Sequence, residues 1–339
     1  MALSLDYNTL NDIPKPDLPY TKGYEFSVIE HFPPEPHIKS FNLTPDEAAK
    51  RETIDVLTRA LTRKPIPGQQ GSKRLRLKIC DTIRVGDGKT SQIVLVDVIS
   101  GELSKTHIVA KLYDPLYYDH SNDDVDPFIF IDVEYTRENA AYRYLHGKKQ
   151  NGIPDFYGSY SMDIRYSDHQ SRTVRLILLE YISGDFMTTL DPNNFCDRFW
   201  KTVMKQIVDL ESQLYKINLR HGDVHPRNVI IKNHDIKLAE PGVIFIDFGF
   251  ASIGRSPNPQ NNIYEKKFLP GVYISPLLRW FKARGREPIC NFENWITWDW
   301  NGWLLGNYLF DKENITPEMI RKWLPPSMRQ QFQSLIESS

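Results

Sequence analysis

Short apolar segments separated by polar turn residues make Leu75 to Leu112 strand-rich. Ile83-Arg84-Val85 leads into the turn Gly86-Asp87-Gly88-Lys89-Thr90-Ser91, and Ile93 to Val96 follows. Ser100-Gly101 then breaks the pattern before Ile108 to Leu112. Strand, glycine turn, strand, turn, strand predicts an antiparallel meander. A further buried strand is expected at Val174 to Leu179. The period changes at Phe199 to Ile217, where Val203, Ile207, Leu210 and Leu214 recur at helical spacing. Two short strands, Val229 to Ile231 and Val243 to Ile246, flank a polar turn. The remaining tail reads as helix and loop.

The first 40 residues hold six prolines between Pro14 and Pro36, which predicts an extended, poorly helical arm. Thr44-Pro45-Asp46-Glu47 is a helix start: an N-capping Thr, Pro at the first helical position, and Glu47 to complete a capping box. Ile54, Leu57 and Leu61 give that helix one apolar stripe. The arm reads as a packing extension, with a partner-docking arm as the alternative. Asn139 to Leu145 is expected to be helical, preceded by an acidic insertion from Asp119 to Asp126. The expected division is an arm and helix at 1–70, a strand-rich part at 71–182 and a mainly helical part at 183–339.

The chain has 339 residues, 40% hydrophobic and 25% charged, enough for two substantial cores. A net charge of −1 argues against a general nucleic-acid binder. Cys80, Cys196 and Cys290 lie far apart without a Cys-x-x-Cys pair, which argues against a disulfide framework or a zinc site. No apolar run is long enough for a membrane span, and Met1 to Pro14 lacks the apolar core of a secretory signal. These features predict a cytoplasmic protein, with the nucleus as the alternative compartment and no membrane partner. Oligomeric state is not legible.

The chemistry concentrates in His221-Gly222-Asp223-Val224-His225-Pro226-Arg227-Asn228 and, after the next hairpin, Ile246-Asp247-Phe248-Gly249. Phosphoryl transfer needs a carboxylate to orient the attacking hydroxyl and oxygen ligands for magnesium on the nucleotide phosphates. Asp-x-x-x-x-Asn followed by Asp-Phe-Gly supplies these in the required order. With this order, residues 75–310 resemble the protein-kinase-like superfamily, which includes protein kinases and the aminoglycoside and choline phosphotransferases. The resemblance implies an α+β, bilobal fold with an antiparallel β-sheet N-lobe and a mainly helical C-lobe. It also implies an ATP- and Mg2+-dependent kinase.

Residue by residue, the resemblance implies that Asp223 orients the acceptor hydroxyl and that Asn228 and Asp247 hold magnesium. Gly86, Gly88 and Ser91 stand where the family has its phosphate-binding loop, with Ser91 in place of the third glycine; a plain hairpin turn is the alternative. Lys111, in Val109-Ala110-Lys111, resembles the strand lysine that clamps the phosphates and pairs with a helical glutamate. Glu138 is the partner of choice and Glu134 the competitor. Glu180 and Ile182 fall at the inter-lobe hinge, where backbone groups would meet adenine; Leu178 or Leu179 would line the purine pocket. His221 is expected to pack beneath the metal-binding turn. His225 would contact the γ-phosphate or orient the loop.

The acceptor is less defined. Gly222 replaces the arginine of the protein-kinase loop, and His-Gly-Asp-x-His-x-x-Asn is the small-molecule version of that loop. Asp247-Phe248-Gly249 is the protein-kinase form. The segment Gly271 to Leu277 is faintly similar to the end of an activation segment, with Leu277 in place of its glutamate. Asp299 is a candidate for the aspartate that braces the catalytic loop. The whole resembles divergent kinase-like proteins of the fungal type. A small-molecule hydroxyl acceptor is therefore expected, with a protein substrate or a non-catalytic nucleotide-binding scaffold as alternatives. Six of seven tryptophans lie at or beyond Trp280. They read as core packing, or as an aromatic wall for a small organic acceptor.

Overall fold

The computed structural model describes residues 15–36, 41–122, 124–233, 240–254, 272–282 and 287–337. The meander expected from the strand–turn pattern is present as β2 (Gln69–Arg84), β3 (Gln92–Ser100) and β4 (Ile108–Tyr113). All three pair antiparallel. β6 (Gln170–Leu179) adds beside β4. β5 (Phe156–Ser167), which the sequence reading did not foresee, pairs with β6 as a hairpin.

The described part of the proline-rich arm is extended, as expected, and also joins the sheet. Its residues Glu25–Phe32 form a strand, β1, that pairs with β2 on one side and β5 on the other. The order β1-β2-β3-β4-β6-β5 thereby closes into a barrel. Tyr24, Phe26 and Val28 stand at every second place, and Phe26 and Val28 are buried in the barrel core. That short alternation was hidden by the prolines on either side. Pro33, Pro34 and Pro36 end the strand rather than prevent it. The described residues up to Lys149, with Asp155–Tyr181, form one compact unit.

Inside the barrel Val94, Val96, Ala110, Leu112, Leu176 and Leu178 meet Leu75, Leu77 and Ile79. The helix expected after Thr44 is two helices, α1 (Pro45–Thr53) and α2 (Val56–Thr62). Thr44 caps the first, accepting from the Glu47 amide at 3.2 Å. The Glu47 carboxylate turns inward to the Arg59 guanidinium instead of completing the box. Asp55 caps the second helix, and Val56, Leu57 and Ala60 pack on the barrel core. The acidic insertion ends in Asp126, whose carboxylate accepts from Phe128 and Ile129 and starts a long helix, α3 (Pro127–Gly147). α3 therefore begins twelve residues before Asn139, the expected start.

The second unit comprises Gln150–Pro154 and the described residues from Ile182 on. β7 (Asp185–Phe186) comes first, and α4 (Asp197–Lys216) buries the expected Val203, Ile207, Leu210 and Leu214. β8 (Leu219–Arg220), β9 (Val229–Lys232), β10 (Gly242–Phe245) and β11 (Ser252–Ile253) follow. Then come α5 (Pro276–Arg279), α6 (Trp300–Tyr308), α7 (Pro317–Trp323) and α8 (Pro326–Glu337). The chain is thus α+β with antiparallel pairing throughout its described sheets. Among the described residues no helix is long and apolar enough to cross a membrane.

Candidate functional site

In the second unit two antiparallel ladders frame the loop carrying Asp223. β8 pairs with β11, and β9 pairs with β10. The segments between the ladders, 221–228 and 246–251, are therefore held opposite each other. The Ile246 amide donates to the Asn228 carbonyl at 3.0 Å and ties them together.

His221 is the internal post of this arrangement. It is 3% exposed, and its ring lies 4.5 Å from the Phe248 ring. Nε2–H donates to the Ile246 carbonyl at 3.1 Å, while Nδ1 accepts from the Asp223 amide at 3.3 Å. These two bonds fix one neutral tautomer. Burial, opposed by the nearby Asp247 and Asp223 carboxylates, lowers its pKa. Gly222 has φ +85, and a Cβ there would collide with the Phe250 backbone. An arginine at this position is therefore sterically excluded as well as absent.

Asp223 is held at both carboxylate oxygens. Arg227 Nη2 donates to Oδ1 and Oδ2 at 2.8 Å each. Asn228 Nδ2 donates to Oδ2 at 2.8 Å and to the Asp223 carbonyl at 3.0 Å. The sequence reading had passed over Arg227; Asp223 lies outside the short turn Pro226–Asn228, so no local spacing rule marked the pair. His225 accepts the Arg227 amide on Nδ1 at 3.2 Å and so caps the turn Pro226–Asn228. Burial, followed by the neighbouring Arg227, lowers the His225 pKa.

Asp247 takes φ +65, a left-handed conformation that Asp tolerates better than most side chains. The Asn228 amide nitrogen is spent on Asp223, which leaves its carbonyl oxygen as the ligand atom of that side chain. A carboxylate and an amide oxygen are the hard ligands that suit magnesium.

In the barrel unit Lys111 and Glu138 meet. Lys111 lies on the outward face of β4, between Ala110 and Leu112, which point into the core. Its Nζ is 2.6 Å from Glu138 Oε2 on α3. The lysine is 6% exposed and the glutamate 0%. The Tyr113 hydroxyl donates to the same Oε2. Glu134, one turn earlier, is buried as well.

Gly86 and Gly88 stand on the β2–β3 hairpin. The Gly86 amide donates to Gln92 Oε1 at 2.8 Å and the Gly88 amide to Asp87 Oδ1 at 3.0 Å. Ser91 is 1% exposed, and its hydroxyl accepts from Arg84 Nη2 at 3.0 Å. The loop thus has intramolecular partners for the amides and the hydroxyl that the resemblance assigns to phosphates. The Glu180 amide donates to the Asp155 carbonyl at 2.9 Å, while Ile182 is buried. Leu178 points into the barrel core, whereas Leu179 lies on the outward face that carries Lys111.

One expectation in the second unit is corrected. Asp299 does not brace the loop: its carboxylate accepts from the Gly302 amide at 3.2 Å and caps α6. The loop is braced by Asn291, whose Nδ2 donates to the Val224 carbonyl at 3.2 Å. Nothing in the sequence around Asn291 marks it. Gly271 lies outside the described residues; from the same segment, Ser275 caps α5, and Ile274 and Leu277 are fully buried. Trp280, Trp295 and Trp300 pack in the core. Trp298 lies under Lys201 Nζ at 5.4 Å from its ring centre, and Trp303 lines a cavity of about 740 Å³ with Lys201, Lys205 and Asp209.

Comparison with known protein families and with curated proteins finds no match for this chain.

Proposed function

We propose that this protein is an ATP- and Mg2+-dependent phosphotransferase that passes the γ-phosphate to a hydroxyl of a small molecule. The observation that carries this reading is the Asp223 carboxylate, fixed by Arg227 and Asn228 beside the opposed Asp247 turn. On the resemblance to the protein-kinase-like superfamily, with a β-rich N-lobe and a helical C-lobe, each group would have a role. Asn228 Oδ1 and the Asp247 carboxylate would hold magnesium, which when bound neutralises charge on the nucleotide phosphates. Lys111, kept straight by Glu138, would hold the phosphates. Asp223 orients the acceptor hydroxyl and takes its proton as the oxygen attacks the γ-phosphorus. The bond from that phosphorus to the bridging oxygen breaks, and ADP carries the electron pair away. Arg227 Nη2, donating to both oxygens, keeps the Asp223 carboxylate aimed. The Gly86–Ser91 hairpin would have to exchange its internal hydrogen bonds to contact phosphate.

Gly222 favours the small-molecule acceptor. No side chain fits there to pair with a phosphorylated loop. A protein serine/threonine kinase is the second reading, favoured by Asp247-Phe248-Gly249, with Phe248 fully buried against His221.

The test is ATP consumption screened against hydroxyl-bearing metabolites and peptides. Asp223→Ala is expected to lower turnover by about 10²–10⁴ with nucleotide binding kept. Asp247→Ala is expected to remove the magnesium dependence of nucleotide binding in calorimetry. Wild-type turnover in Asp223→Ala would sink the assignment, and labelling of peptides alone would move it to the second reading. Magnesium-dependent nucleotide binding without turnover would leave a non-catalytic scaffold.

A further inference from the structure

Three side chains with metal-binding chemistry converge on the outer face of the barrel, in a different part of the unit from Lys111. They are Cys80 on β2, Asp97 on β3 and His107 at the end of the β3–β4 connection. A thiol sulfur, a carboxylate oxygen and an imidazole nitrogen lie within 4.8 Å of one another.

The convergence is built by the strands. Asp97 stands opposite Lys78 in the β2–β3 ladder, and the register shifts between Ile79 and Asp81. Cys80 sits in that bulge, and a bulge re-aims its side chain. The thiol donates to the Leu95 carbonyl at 3.2 Å. The connection folds back with the Val98 amide on the Lys105 carbonyl at 3.0 Å. Asp97 Oδ1 then accepts the His107 amide at 2.8 Å and lies 3.4 Å from His107 Nδ1. Lys78, which could have neutralised Asp97, sends its ammonium towards Glu25 at 3.6 Å.

We infer that Cys80, Asp97 and His107 form a site for a borderline-soft divalent cation of the zinc class, which clips β2 and β3 to the start of β4. Thiolate and imidazole select such an ion over magnesium or calcium. Bonds of about 2.0–2.3 Å place tetrahedral ligand atoms roughly 3.3–3.7 Å apart. Closing from the observed spacing takes about 1 Å of side-chain movement, and His107 is largely exposed and free to make it. Water takes the fourth position. The site escaped the spacing rule because its residues join across strands, not along a loop. It is also independent of the oxygen ligands at Asn228 and Asp247, so either can fail alone.

The test uses cobalt(II) as the probe on the intact protein, in buffer containing magnesium. The expected result is a thiolate-to-cobalt charge-transfer band with intense tetrahedral d–d absorption. It should saturate at one equivalent and be displaced by zinc(II). Cys80→Ser should abolish the charge-transfer band. His107→Ala, at an exposed loop position that does not endanger folding, should weaken cobalt affinity at least about tenfold. Circular dichroism of each variant reports whether the fold is kept. No band at millimolar cobalt, a band that survives in Cys80→Ser through Cys196 or Cys290, or unchanged affinity in His107→Ala would each overturn the site.

Discussion

Replacing Gly222 with alanine probes the loop through its backbone. Gly222 has φ +85, and its added Cβ would stand 2.8 Å from the Phe250 carbonyl carbon and closer still to the oxygen. Two costs combine. The left-handed conformation costs an L-residue about 1–2 kcal/mol. Overlap with backbone that cannot rotate away adds about 1–3 kcal/mol. Gly254 separates them. It has φ +82 in the same unit, with no described residue within 4 Å of where its Cβ would stand, so Gly254→Ala carries the first cost alone. Urea unfolding followed by tryptophan fluorescence is the assay. All seven tryptophans lie at Trp200 or beyond, so the signal belongs to the unit that holds both glycines. Gly222→Ala is expected to lose about 2–5 kcal/mol and Gly254→Ala about 1–2 kcal/mol. Equal losses would refute the argument that Phe250 excludes a side chain beside Asp223, and with it the steric case against an arginine there.

Lys111→Met and Glu138→Gln each remove one partner of a buried ion pair and are expected to cost about 3–5 kcal/mol. The double variant should cost less than the sum. Far-ultraviolet circular dichroism in urea reads this, and strict additivity would argue against coupling. His31 is 4% exposed, bonded through Nδ1 to the Tyr135 hydroxyl at 2.7 Å, and lowered to about 4 by burial and then by Arg175. The unfolded chain binds the proton that folded His31 refuses, so its contribution is full above the unfolded value of 6.5 and is lost as pH falls towards about 4. His31→Asn is expected to flatten the stability profile in that window; an unchanged slope would mean that another group sets it.

The elements most legible in the sequence were those whose pattern is local. The β2, β3 and β4 segments with their turns, the α4 stripe and the Thr44 cap each carry their signal within a few residues. The Asp223 loop stood out because it sets Asp, His and Asn at close, fixed spacing, and the structure joins Asn228 to Asp223. β5 was missed because Phe156 to Ser167 mixes Gly158, Ser159 and Ser161 with its apolar residues. Those positions are set by pairing with β6 and by the Ser159 hydroxyl's bond to the His31 carbonyl, neither of which is local. Asn291 and Arg227 act through contacts that only the folded chain creates. Asp299 misled because an aspartate before a helix serves equally well as a cap. The buried clasp of Arg172 on Asp114, with the Tyr20 hydroxyl on the same carboxylate, was invisible for the same reason: its partners are scattered along the chain.

The closing strand of the barrel has a cost in time. β1 is made early, yet one of its partners is β5, where Ile29 meets Ser161. At roughly 5–20 residues per second of synthesis, the intervening stretch of about 130 residues delays that pairing by on the order of ten seconds. Until then β1 can pair only with β2, and its other edge stays open. Glu25 and Glu30 lie on this strand, and charge on an open edge discourages pairing with a stranger. The slowest step in forming this unit should therefore be ring closure, and the nascent chain should be most vulnerable to aggregation just before residue 161 emerges.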